Sequence, residues 1–346
     1  MAERALYLDE GPGETRGVVT LGDAPERLLI ERAGQRYPEL GARYGARVSR
    51  VDRGLGLAWL DLDAGEEAVL RLKADRAIPV EGQSLEIEIA IEPQDAKAAV
   101  ARVLGDGRGP LGLLSAAPDL AGKLSLWGPG LPIIGGRQAR DMADEAQAQA
   151  LAVEHPLRSG GSIAIQLTRA LVAVDVDLGA AGGRDAKRAA RQTNLAAIRE
   201  TARLLRLKGQ GGLVVVDLIG RGHDGQALAT ACRSAFAPEQ PGLVLGPVSR
   251  FGTIELAIPR RYRPLADILC DAEGRLSATT LALGLLRAVE REASADPGGR
   301  ITARASPIVV AAALAPAEAL RAKIGARFEL IADPALRLEA METASR

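Results

Sequence analysis

Aromatic side chains make up only 3% of this 346-residue chain, so its interior must be built mainly from aliphatic residues. Cysteine is nearly absent: Cys232 and Cys270 stand alone, with no Cys-x-x-Cys pair. They supply neither a disulfide framework nor a four-ligand zinc site. His223 has no second histidine at a ligand spacing and reads as a surface loop residue. Net charge is missing too, since 44 basic residues balance 44 acidic ones. Any affinity for a polyanion must therefore come from local patches rather than from the surface as a whole. No uninterrupted apolar run approaches the ~18 residues of a membrane span, and the opening residues carry no apolar targeting core. These absences point to a soluble, cytoplasmic protein with no membrane partner, long enough for two or three domains.

What is present centres on residues 171–220. Leu-Val-Ala-Val-Asp-Val-Asp-Leu (171–178) reads as a strand, and its side-chain period of two projects Asp175 and Asp177 from one face. Gly-Gly-Leu-Val-Val-Val-Asp-Leu-Ile-Gly (211–220) reads as a second strand ending on Asp217, apolar enough for burial on both faces. Neighbouring strands that each deliver an acid can place a divalent cation between them, because Mg²⁺ takes one or two carboxylates plus water and phosphate oxygens. Strand-end aspartates also simply mark a strand-to-loop transition, and spacing alone leaves both readings open. Between the strands, Leu195, Ile198, Ala202 and Leu205 form the apolar stripe of a helix over 185–208, which stops before Gly209. Strand, helix and strand make a right-handed βαβ unit. Arg184, Lys187, Arg188 and Arg191 share one helix face, and with Arg199, Arg203, Arg206 and Lys208 they face only Asp185 and Glu200 as local acids. A basic patch beside carboxylates suits a phosphate backbone.

The flanking regions are plainer. Residues 4–8 and 27–32 are strand candidates, and four alternating runs between 46 and 92 suggest a small OB-type barrel. Trp59 on that barrel is either core or, with Lys97, Arg53, Arg71 and Lys73, part of a single-strand-binding rim. Residues 105–137 read as a loop-rich connector, 138–153 and 226–236 as helices, and 247–263 as an arginine-rich strand pair. A helix from Ser277 opens a small α+β terminal unit whose residues suggest no chemistry.

Taken together, these segments resemble the ribonuclease E/G family. The resemblance rests on Leu-Arg-Ser-Gly-Gly-Ser-Ile-Ala-Ile (157–165), Ala-Leu-Val-Ala-Val-Asp-Val-Asp (170–177) and Gln-Thr-Asn-Leu-Ala-Ala (192–197). It continues through Ala-Arg-Leu-Leu-Arg-Leu (202–207), Gly-Gly-Leu-Val-Val-Val-Asp-Leu-Ile (211–219) and Val-Ser-Arg-Phe-Gly-Thr-Ile-Glu-Leu (248–256). What it implies is an α/β and α+β multidomain chain. An OB-type β-barrel is inserted in a ribonuclease-H-like subdomain, followed by a deoxyribonuclease-I-like catalytic subdomain and a small α+β C-terminal domain. The implied boundaries are 1–39 and 126–168 for the ribonuclease-H-like part, 40–104 for the barrel and 105–125 for a reduced 5′-sensor connector. The catalytic subdomain covers 169–263, a vestigial zinc-link segment 264–275 and the small domain 276–346.

The implied activity is Mg²⁺-dependent endonucleolytic cleavage of single-stranded RNA, in processing or turnover. By position, Asp175 and Asp217 are the metal ligands. Asp177 is an auxiliary acid at the position where the family usually has Asn. Trp59, Lys97, Arg184, Lys187, Arg188, Arg191 and Arg250 are the expected RNA contacts. Arg169 replaces a frequent family acid, and the family's Cys-x-x-Cys zinc link is broken because Glu273 stands three residues after Cys270. No zinc and no zinc-linked tetramer are expected, while a homodimer through the small domain stays open. The alternative function is an RNA-binding paralogue with little or no catalysis.

Overall fold

The computed structural model describes residues 3–73, 77–94, 97–179 and 186–345. Its first unit is an antiparallel meander of β1 (Arg4–Gly11), β2 (Glu14–Leu21) and β3 (Ala24–Arg32). Gly13 turns β1 into β2 at φ +74°, a conformation that suits a tight hairpin and strains any residue with a Cβ. The sequence reading marks only two strands here. It misses β2 because the inward positions of that strand include Glu14 and Arg16, buried charges that erase the apolar alternation.

A closed five-stranded barrel follows, built from β4 (Arg43–Asp52), β5 (Leu57–Asp61), β6 (Glu67–Arg71), β7 (Ser84–Ile91) and β8 (Ala99–Asp106). The strand order is β5-β6-β8-β7-β4, closed by β4 on β5, with β6 and β8 parallel. This order is compatible with the OB-type barrel read from the alternating runs. Tyr44, Val48, Leu60, Leu62, Ile87 and Ile89 fill it. The connector expected at 105–125 is more ordered than its glycines suggest. It holds the end of β8, then β9 (Gly112–Ser115) paired to β4, and the start of helix α1 (Leu120–Trp127). Asp119 caps α1 by accepting from the Gly122 backbone N–H.

After the barrel the chain returns to the first sheet, where β10 (Ile133–Ile134) pairs in parallel with β1, Leu6 opposite Ile133. The barrel thus interrupts the first sheet. Helix α2 (Gly136–Leu151) then leads into a six-stranded sheet. Its members are β11 (Glu154–Pro156), β12 (Ser162–Leu167), β13 (Val172–Asp177), β14 (Gly212–Asp217), β15 (Val244–Leu245) and β16 (Thr253–Ile258), in the order β11-β12-β13-β14-β16-β15. Helix α3 (Ala186–Lys208) joins the parallel strands β13 and β14, and α4 (Gly225–Ala235) follows β14. The strand pair read over 247–263 is the single strand β16, preceded by a tight turn around Ser249. One aliphatic core joins this sheet to α2, α3 and the first sheet.

Helix α5 (Leu265–Leu269) still packs into that first core, and the C-terminal unit follows with α6 (Ala278–Ala295), β17 (Ile301–Ala305), α7 (Pro307–Ile324), β18 (Phe328–Ala332) and β19 (Met341–Ser345). It has its own apolar core between α6, α7 and the β18-β17-β19 sheet. Ser277 caps α6 through the Thr280 backbone N–H. The outer face of α6 meets the first sheet through buried ions. Glu14 accepts from Arg287 at 2.6 Å and from Arg32 at 2.8 Å, while Arg32 also donates to Thr280 Oγ1 at 2.9 Å. Among the described residues no helix is long and apolar enough to cross a membrane.

Candidate active site

Parallel pairing brings the acids together. Asp175 on β13 is the register partner of Asp217 on β14, so the two carboxylates leave the same face of strands about 4.8 Å apart. Val172, Val174 and Val176, with Val214 and Val216, bury the opposite face in the core. The acid-bearing face is open: Asp175, Asp177 and Asp217 are all exposed, and Leu213 retains 45% of its surface. The sequence reading gives β14 burial on both faces; its valine run instead covers one face and leaves the other as a floor. On that floor Ala164 of β12 stands opposite Asp175, and Thr253 of β16 opposite Asp217.

Neither Asp175 nor Asp217 has a hydrogen-bond or ion-pair partner among the described residues. Asp177 differs, because its Oδ1 accepts the Gly179 backbone N–H at 2.9 Å and closes the turn after β13. Among the described residues no three of His, Cys, Asp and Glu cluster closely enough to cage a metal. Two unpartnered carboxylates in register nonetheless match the chemistry of Mg²⁺, which leaves most of its positions to water and phosphate. That donor set fits the ion.

The loop after Asp217 is held by a residue the sequence reading does not single out. Asn194 of α3, 2% exposed, accepts from the Ile219 N–H and donates to the Ile219 carbonyl, both at 3.0 Å. The only sequence signal is its place in the Gln-Thr-Asn segment. From the other side, Leu218 N–H donates to the Gly252 carbonyl at 3.1 Å. Asp217 therefore ends a strand whose continuation is fixed both by α3 and by the turn before β16.

The basic helix divides in two. Lys187, Arg188 and Arg191 are exposed near the N-terminus of α3, whereas Arg184 lies outside the described residues. Lys187 and Arg191 line a cavity of about 500 Å³ with the 219–224 loop. Arg191 is also paired with Asp224, the N-cap of α4, at 2.7 Å. The C-terminal half contributes no patch. Arg206 is buried against Glu26 and Glu239, Arg203 bonds Glu200 and Gln149, and Lys208 donates to the Ala150 carbonyl at the end of α2. The concentrated charge counted along the helix is thus partly consumed by packing.

Arg250 lies exposed on the turn before β16, its guanidinium 4.8 Å from the Phe251 ring centroid. His223 is half-buried, not an ordinary surface residue, and its Nε2 finds no partner among the described residues. Trp59 is on the outside of the barrel, because its neighbours Ala58 and Leu60 point inward. Arg50 stacks on the Trp59 ring at 3.7 Å. This removes the core reading of Trp59. Lys97 is exposed in the turn before β8, bonded to Gln94 through its backbone. The structure does not gather Trp59 and Lys97 with the acids on the open sheet. At the broken zinc link, Asp271 closes the turn by accepting from the Glu273 and Arg275 backbone N–H groups at 3.1 and 2.9 Å.

Comparison with known proteins follows the same segment. Residues 137–261 match the model of the Ribonuclease E/G family. Ribonuclease E of Escherichia coli (strain K12) is 32% identical over 186 residues, 51% of this chain and 17% of that protein. A chloroplastic Ribonuclease E/G-like protein of Arabidopsis thaliana is 30% identical over 174 residues, 47% of this chain and 17% of that protein. Ribonuclease G of Escherichia coli (strain K12) is 26% identical over 205 residues, 56% of this chain and 41% of that protein. The aligned part is therefore less than half the length of each of these relatives. Asp175, Asn194, Asp217 and Arg250 all fall inside residues 137–261, the segment that is similar to the Ribonuclease E/G family.

Proposed function

We propose that the chain is an endoribonuclease that cleaves single-stranded RNA with Mg²⁺ held by Asp175 and Asp217. The observation that carries the reading is their register pairing on an open sheet face, without competing partners, inside the family-matched segment. When bound there, the ion would polarise a phosphoryl oxygen and lower the pKa of a water. The chain's own residues do the rest. The two carboxylates orient the ion, and Asn194 fixes the strand end that carries Asp217. Arg250, Lys187, Arg188 and Arg191 supply positive charge for the RNA backbone. Trp59 with Arg50, and Lys97, offer a stacking surface and charge for a more distant stretch of the strand. The first sheet with β10 would correspond to the ribonuclease-H-like subdomain and the β11–β16 sheet to the deoxyribonuclease-I-like one.

Asp177 supports a second reading as an RNA-binding protein with little catalysis. Its carboxylate places a third negative charge on the face where phosphate must arrive, and it cannot donate a hydrogen bond when ionised. Cleavage of a fluorogenic single-stranded RNA decides between them. For the nuclease, activity requires Mg²⁺, and Asp175→Asn and Asp217→Asn each lower turnover by on the order of 10²-fold or more. RNA binding without cleavage at any Mg²⁺ concentration, restored to cleavage by Asp177→Asn, would establish the second reading.

A further inference from the structure

Phe251 keeps 76% of its surface exposed, the most among the large hydrophobic residues described. It does so on a rigid turn. Ser249 Oγ accepts from the Phe251 and Thr253 backbone N–H groups at 3.2 and 3.3 Å, and Ser249 N–H donates to the Thr253 carbonyl at 2.8 Å. The turn is tied to the strand end carrying Asp217, since Gly252 accepts from Leu218 N–H. Leaving an aromatic ring in water on a pre-organised turn forfeits its burial, so the folded chain alone gives no account of it. The ring borders a groove of about 1050 Å³ whose charged lining is Arg221, Arg233 and Arg250, with no acidic side chain. Thr253, two residues on, is the register partner of Asp217. An exposed π-face beside guanidinium groups suits one repeating ligand, a base attached to a phosphate.

We propose that Phe251 is a stacking platform for one nucleobase of a single-stranded RNA whose phosphates lie along the Arg221–Arg233–Arg250 groove. The proposal rests on the RNA reading of the site and adds a base-recognising position to it. Stacking on an aromatic tolerates any base, so Phe251 sets how the strand is placed relative to Asp217 rather than which sequence is taken.

The test is fluorescence anisotropy with a 12-nucleotide RNA in buffer lacking divalent cations, scanned with an abasic nucleotide at each position. In the wild type, one abasic position is expected to weaken binding by about 5- to 100-fold. Phe251→Ala should show the same loss on the intact oligomer and no further loss at that position, while Phe251→Trp restores it. Arg250→Gln should weaken all oligomers alike and reduce the salt dependence. Because the ring is exposed, an unchanged melting curve shows that Phe251→Ala still folds. Wild-type binding that Arg250→Gln weakens and Phe251→Ala leaves intact overturns the platform alone. A change in oligomer mass without a change in RNA affinity also overturns it and makes the ring a protein contact. No RNA binding by the wild type overturns the RNA reading itself, and the platform with it.

Discussion

Replacing Asn194 with alanine removes the clamp on the loop that follows Asp217, and the structure sets the size of the effect. Two hydrogen bonds of 3.0 Å are lost at a side chain only 2% exposed, leaving the Ile219 N–H and carbonyl without their partners. Each unsatisfied buried backbone group costs roughly 1–3 kcal/mol. The expected loss is therefore about 2–6 kcal/mol of unfolding free energy, read from urea denaturation by far-UV circular dichroism. The same change loosens the position of Asp217, and a misplacement of about 1 Å in a catalytic group costs on the order of 10²-fold. On the proposed nuclease reading, turnover should fall at least tenfold while RNA affinity, which that reading assigns to arginines elsewhere, changes little. Asn194→Asp provides the internal control. It keeps an acceptor for the Ile219 N–H but faces the Ile219 carbonyl with a second oxygen, so it should not rescue. An Asn194→Ala protein with wild-type turnover and denaturation midpoint would refute the clamp, as would full function in Asn194→Asp.

Two further outcomes test the architecture around the site. Glu14→Gln strands the buried guanidinium groups of Arg32 and Arg287 and should destabilise the fold by about 3–5 kcal/mol; a change under about 1 kcal/mol would show that water reaches the cluster. His155 has its imidazole held below the usual value, first by burial and then by the Lys208 charge, and its Nε2 lies 3.1 Å from the Ala152 carbonyl. A folded-state pKa below the unfolded one means the unfolded chain takes the proton first. Stability should then fall as pH drops through about 6.5, with a contribution of up to about 1.4 kcal/mol per pH unit. His155→Gln should flatten urea midpoints between pH 7.5 and 5.5, and an unchanged slope would refute the assignment.

Much of the site was legible because it depends on strand periodicity. Asp175 lies within one β-branched run and Asp217 closes another, and the helix between the two strands forces the parallel pairing that sets the two acids side by side. Three features were hidden for physical reasons. Strand β2 buries Glu14 and Arg16, whose partners lie on other elements, so a local apolar pattern could not reveal it. The C-terminal half of α3 looks as basic as its start, yet Arg206 and Lys208 are consumed by Glu26, Glu239 and a helix end distant in sequence. Asn194 carries no charge and no periodicity, and its role appears only when Ile219 arrives opposite it.

The interrupted first sheet has a consequence for the order in which the chain can fold. The barrel closes on contacts between residues 43 and 106, and its short loops let it form early. Strand β1 instead waits for Ile133, and Glu14 on β2 waits for Arg287, a separation of 273 residues. Until α6 arrives, Glu14 has Arg32 of the same meander as its cationic partner, and this buried pair lacks its Arg287 and Thr280 contacts, so completion of the meander is deferred to the docking of α6. During refolding, barrel amides should gain protection from hydrogen exchange before those of β1–β3, although the meander precedes the barrel in sequence.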